Sequence, residues 1–178
     1  MWHPLEAIPA GFARWIAFIV LMALSAWLAR KSNGSLKTYA APKGLCSFES
    51  AGDEAGARPI LDSWTDKGVY SQALDSLWIR AFFLVVYTTG LALAVLMAAD
   101  VLYDWLSLLY LLGVLVAWAQ WGAAILGIVG NVCLAMILYD APVDPWADTA
   151  RWCAVRRTTL VVVGWAFVAL GVIAWLAC

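Results

Sequence analysis

The sequence predicts an all-α integral membrane bundle of four transmembrane helices, with N-terminus and C-terminus both on the extracytoplasmic side. Three observations predict it. Of the 178 residues 65% are hydrophobic and only 13% are charged, where a soluble domain carries roughly 25%. Several apolar runs reach the roughly 20 residues that a helix needs to cross a hydrocarbon core about 30 Å thick. These runs are continuous, whereas the strands of a closed barrel would alternate. A single membrane domain over residues 1–178 is expected, in a bacterial inner membrane, as a multi-pass protein.

The first span is read over residues 12–29. Glu6 and a single Arg14 precede it, while Arg30 and Lys31 follow. A cleavable signal carries its positive charge ahead of the apolar run, so the segment reads as a retained span with the N-terminus outside. The second span is read over 79–99 and the fourth over 158–177. Between them an uncharged stretch runs from Trp105 to Tyr139, 35 residues, or about 52 Å of helix. It suits two crossings broken near "WAQWG" (118–122) or one crossing with an outer extension. Charge decides. With four crossings the loops 30–78 and 140–157 face the cytoplasm, and ten of the eleven Lys and Arg lie inside, Arg14 alone outside. That is the bias of membrane proteins. The third span is therefore placed at 117–139, and 100–116 becomes an outer segment, helical or interfacial.

Aromatic rings settle at headgroup level. Trp2, Tyr103, Trp105, Tyr110 and Trp175 suit the outer edge, and Trp78, Tyr139, Trp146 and Trp152 the inner one. In the first inner loop, Pro59 suits a helix start, with Ile60, Leu61 and Trp64 on one face and Asp62 and Asp66 on another. This is an amphipathic helix expected on the inner leaflet. Gly68 would end it, and Ser71 would cap the helix entering span two. In the second loop, Asp144 before Pro145 is a helix-start signal, and Asp148 can pair with Arg151 three residues on.

Little in the chain points to chemistry. The net charge is −1, so no basic face suggests nucleic acid. Cys46, Cys133, Cys153 and Cys178 form no C-x-x-C pair, and His3 is the only histidine. Neither a zinc site nor a bis-histidine haem is therefore expected, and no cofactor. Asp140, Asp144 and Asp148 are spaced by four and would line one face of a helix able to hold Mg²⁺, but Pro142 and Pro145 break that helix. Ser47, Glu49, Asp53 and Glu54 near Cys46 lack a histidine base and read as a solvated loop. Arg80, at the inner end of span two, would snorkel to headgroups, pair with Asp75, or meet an anionic lipid headgroup. The candidate polar site is thus Arg80, Glu49, Asp140, Asp144 and Asp148.

Two stripes of small residues remain: Gly90, Ala94 and Ala98 in span two, and Ala123, Gly127, Asn131 and Ala135 in span three. Small residues let helices approach closely, and a buried amide bonds across. Packing is the reading for both stripes; for Asn131 the alternative is a residue lining a pocket or path.

The segments "GLCSFESAG" (44–52), "ILDSW" (60–64), "SLWIRAFFLVVY" (76–87), "GIVGN" (127–131) and "PWADTARWC" (145–153), in that order, resemble a set of small four-span bacterial membrane proteins of no known activity. The resemblance implies an acidic residue where this chain has Arg80, and acidic residues where it has Gly127 and Gly130. Asn131 is kept. If those carboxylates form a shared site in relatives, this chain lacks it, which favours a scaffold or subunit role.

The function expected is association: an accessory or structural subunit packing against other membrane proteins or itself, among membrane lipids, and more plausibly not an enzyme. The alternative is an enzyme or binding protein for a lipid-like substrate at the cytoplasmic surface. No internal repeat or pair of interrupted helices favours a transporter.

Overall fold

The computed structural model describes residues 2–33, 36–103, 106–139 and 143–177. Among them the chain is all helical. A short 3-10 turn, Pro4–Ala7, is followed by α1 (Phe12–Asn33), α2 (Leu45–Glu49), α3 (Glu54–Asp66), α4 (Tyr70–Tyr103), α5 (Ser107–Leu138) and α6 (Val143–Ala177). Four of these, α1, α4, α5 and α6, are long and apolar enough to cross a membrane.

The helices are longer than the predicted spans. α4 starts at Tyr70, nine residues before the expected residue 79. α5 is one helix of 32 residues, unbroken through 118–122, so most of the predicted outer segment belongs to it. Nothing in "WAQWG" breaks a helix: its single glycine, Gly122, has helical neighbours and open space around it. In α6 Asp144 is extended (φ −87°, ψ 136°) and joined to Pro145 by a cis peptide, so regular helix begins at Pro145. Pro is well suited to a first helical position, where its missing N–H has no partner to lose.

The chain divides into two compact units. The first comprises residues 1–25, 85–124 and 157–178, and the second 26–84 and 125–156. In the first, Leu91, Val95, Leu96 and Ala99 of α4 are buried with Val114 and Ala117 of α5 and Phe167 of α6. Absent side chains set the spacing. A Cβ on Gly113 would collide with Ala99, and one on Gly171 with Ala98, so α4 meets α5 and α6 almost backbone to backbone. Gly90 lies against Leu21 and Met22 of α1, with a Cβ there 3.3 Å from each. Gln120 reaches across to α6, its Nε2 donating to the Leu160 carbonyl at 3.0 Å.

The second unit folds the long loop into a core. Trp64, Phe48, Leu36 and Leu45 are fully buried. Trp64 donates Nε1–H to the Leu36 carbonyl at 2.9 Å and stands edge-on to Phe48, centroids 5.3 Å apart. The α3 face predicted to lie on lipid is therefore covered by protein: Ala57, Ile60 and Trp64 are buried, Asp62 and Asp66 exposed. Its start is also corrected. Asp53, not Pro59, opens the helix, accepting the Gly56 N–H at 2.8 Å, and Pro59 sits inside. The carboxylate cap outweighs the proline signal because it satisfies a free N–H. Gly68 ends α3 as expected, with φ +70°. The N–H groups of Gly68 and Val69 return to Thr65 and Trp64, the paired closure that favours glycine. Ser71 does not cap α4, which has begun one residue earlier.

Because Gly113 meets Ala99 and Phe167, Gly113→Ala should lower stability by about 1–3 kcal/mol through overpacking. Gly122→Ala, with nothing within 4 Å of the new Cβ, should be neutral or gain up to about 1 kcal/mol of helix propensity. Thermal unfolding of both variants in one detergent checks the contrast.

Candidate functional sites

Among the described residues each unit holds one ion pair between different helices; the sequence reading groups Arg80 with Glu49 without pairing them, and does not bring Arg14 to Asp100. In the second unit α2 places Glu49 against Arg80 of α4. The two form a salt bridge with side chains 7% and 8% exposed. Arg80 therefore neither snorkels nor pairs with Asp75; a partner at hand in a low-dielectric interior outcompetes a route to water. Glu49, placed by sequence in a solvated loop, is 5% exposed. Gly130 of α5 lies beside the pair, where a Cβ would stand 3.9 Å from Glu49 Oε1 and 3.5 Å from the Cβ of Cys153. Arg80 of α4 and Gly130 of α5 thus both lie against Glu49. Asn131 next to them donates Nδ2–H to the Leu77 carbonyl at 3.2 Å.

The predicted acidic group does not come together here. Asp140 lies outside the described residues, and Asp144 and Asp148 are exposed. Among the described residues Asp148 makes no ion pair with Arg151, whose side chain instead covers Gly52, within 2.8 Å of where a Cβ would be. No group of three or more potential metal ligands is found among the described residues.

The small-residue stripes face inward. Gly90, Ala94 and Ala98 are buried in the first unit, as is Ala123; Gly127 and Asn131 are buried in the second, with Ala135 half-buried. They serve approaches within the chain. Of the rings expected at the membrane edges, Trp2, Trp78, Trp152, Trp175, Tyr103 and Tyr139 are exposed, Tyr110 and Trp146 are half-buried, and Trp105 lies outside the described residues.

In the first unit Arg14 is buried at 7% exposure. Its Nε donates to the Ile8 carbonyl at 3.0 Å and its Nη1 to Asp100 Oδ2 of α4 at 2.5 Å. The pair sits on a groove of about 530 Å³ formed by α1, α4 and α6. Its walls are apolar and many are small: Gly11, Ala94, Ala98 and Gly171, with Phe18, Val168, Trp15 and Trp175 also lining it. The volume falls within the roughly 300–1,000 Å³ of small-molecule sites, which combine apolar walls with a few polar groups.

The 3-10 turn beside this site is locked by His3. The imidazole is fully buried, accepts the Leu5 N–H at Nδ1, and packs on Trp118 and Trp121 with centroids 4.8 and 4.7 Å away. Its N–H is therefore on Nε2, which has no hydrogen-bond partner. Glu6 closes the turn from the other side, accepting the His3 N–H at 3.1 Å. Burial among the indoles lowers the His3 pKa from the usual 6.5, with the Glu6 charge opposing. A lone histidine ahead of an apolar run gave no sign of its burial in sequence, since the indoles that cover it lie more than a hundred residues away.

No family model matches the chain, and no curated protein or solved structure shows significant similarity to it.

Two expectations follow. Removing one partner of a buried pair costs about 3–5 kcal/mol, whereas an apolar replacement of both is tolerated. Glu49→Ala or Arg80→Ala should thus strongly destabilise the protein, and Glu49→Leu with Arg80→Met should recover most of the loss, read by thermal unfolding. For His3, the unfolded chain binds a proton below pH 6.5 that the folded chain resists, so stability rises with pH there. The unfolding midpoint should fall between pH 7 and 5.5, and His3→Phe should flatten that part of the profile.

Proposed function

We propose that this chain is a multi-pass membrane protein that binds a lipid-like amphiphile in the groove of α1, α4 and α6, its apolar part in the groove and its polar end at Arg14 and Asp100. The observation that carries the reading is the groove itself, an apolar hollow of about 530 Å³ with one ion pair on its wall. In a membrane, a hollow between helices is filled by hydrocarbon, and a charged pair inside it marks a ligand path or site. The Arg80–Glu49 pair supports a site less well, because both of its side chains are buried, although Arg80 Nη1 is left without a hydrogen-bond partner. The charge bias of the loops supports the termini on the extracytoplasmic side of a bacterial inner membrane.

A second reading, an accessory subunit, is favoured by α1. Phe12, Trp15, Ile16, Ile19, Val20 and Trp27 along it are exposed, a face that a neighbouring membrane protein or lipid would cover. Association would then run through α1 rather than through the small-residue stripes, which are used within the chain.

Val172 lines the groove and is 50% exposed, so a larger side chain there fills the hollow without disturbing the core. Native mass spectrometry of the protein in mild detergent should show a retained lipid that Val172→Trp loses. Equal retention by both proteins would reject the groove as the binding site.

A further inference from the structure

Resting on the groove reading above, we infer that the amphiphile is a zwitterionic aminophospholipid, its phosphate meeting Arg14 and its ammonium meeting Asp100. The hydrogen bonds already made fix what the pair has left to offer. Arg14 spends Nε on the Ile8 carbonyl and Nη1 on Asp100 Oδ2. Its second amino group, Nη2, remains for a ligand. Asp100 spends Oδ2, and its side chain is 45% exposed, so Oδ1 remains. The pair thus leaves N–H donors on a cation from α1 and an acceptor on an anion from α4, both lining the groove. A headgroup carrying both signs answers both groups with charge-assisted hydrogen bonds.

The local charge sets the class more narrowly. Glu6 lies close enough to act on Asp100 and on Tyr110 electrostatically. The carboxylates of Glu6 and Asp100 therefore outnumber the single guanidinium of Arg14. His3, held neutral by burial, adds no positive charge at neutral pH. A headgroup with net negative charge meets an unfavourable field there, and like charge set against it is how a site rejects a competitor. One that brings an ammonium as well as a phosphate does not.

The shape fits a two-chain lipid near its glycerol. The groove follows α4 from Ala94 to Val101 and α6 from Val168 to Trp175, about 10 Å along the axis at 1.5 Å per residue. A volume of about 530 Å³ over that length is about 7 Å across, against carbon–carbon contacts of about 3.5–4.0 Å. Two adjacent chains fit better than one. Asp100 and Val101 lie at the end of the groove nearest the α4 C-terminus, Ala94 at the other, so the polar contact is at the helix-end side and the apolar wall runs inward.

The test places the full chain in nanodiscs of equal phosphatidylethanolamine and phosphatidylglycerol, releases it into mild detergent and reads retained lipid by native mass spectrometry. Wild type should retain phosphatidylethanolamine over phosphatidylglycerol. Asp100→Asn keeps a hydrogen-bonding partner for Arg14 but removes the negative charge, and should shift the preference to phosphatidylglycerol. Glu6→Gln, which leaves the ion pair intact, should weaken the discrimination in the same direction and serves if Asp100→Asn does not fold. Retention of phosphatidylglycerol by wild type, or a preference unmoved by both variants, would overturn the headgroup assignment while leaving the groove in place. Retention that survives Val172→Trp would overturn the groove reading itself.

Discussion

The structure depends on one constraint: a charge withdrawn from water has to be answered by a charge from the same chain. Born desolvation of a lone ion is far larger than the stability of a domain, and only a well-placed partner offsets it. This chain has few charges, and two of its cations are buried inside helical packing, Arg14 and Arg80. Each unit contains one of them with its acid, Asp100 in the first and Glu49 in the second. The second pair depends on the folding of the long loop, which carries its acid inward. Glu49 is delivered by a five-residue helix that has little stability of its own. Trp64, Phe48, Leu36 and Leu45 hold that helix in place by burying apolar area around it, at about 25 cal/mol per Å².

The two pairs differ in what they leave over. Arg80 and Glu49 are both sealed, beside a glycine at 130 that leaves the carboxylate room. Arg14 is as buried as Arg80, but Asp100 is not. A pair with one half-open member can keep its own contact and still accept another partner, while a sealed pair fixes packing. That asymmetry, not the number of polar residues, separates a structural ion pair from a candidate site in this molecule.

What was legible in the sequence follows from range. Four apolar helices could be read because apolar continuity over about 20 residues is a local signal. The glycine stop at Gly68 was legible because the left-handed backbone it adopts is a property of one residue. Ion-pair partners were not, since Arg14 and Asp100 are 86 positions apart and Arg80 and Glu49 are 31 apart. Arg80 was noticed as a lone charge at the end of a span, and the nearer Asp75 was weighed as its partner; proximity in sequence misled. Pro59 misled in the same way, because a proline inside a first or second helical turn has the same look as one that begins a helix. The start of α4 was legible at Ser71, next to its first residue Tyr70, whereas the first turns of α5 could not be told from an interfacial segment, because an uncharged apolar run longer than one crossing does not mark where its helix begins.

The groove exists for the same reason that the helices are close. Ala98 is opposite Gly171, and α4 meets α6 there with only the Ala98 methyl between them. Small residues at such a contact leave nothing to fill the space beside it, and Gly11, Ala94 and Ala98 extend the narrow surface along the wall. A leucine at position 94 would supply part of the missing volume. A soluble protein with this hollow would lose dispersion contacts along its whole lining. In a bilayer hydrocarbon occupies it without that loss, so the small-residue stripe of α4 costs little where it stands. Close packing on one side of Ala98 and an open groove on the other are then two consequences of one choice of residue, and the buried guanidinium of Arg14 gives that groove a polar end.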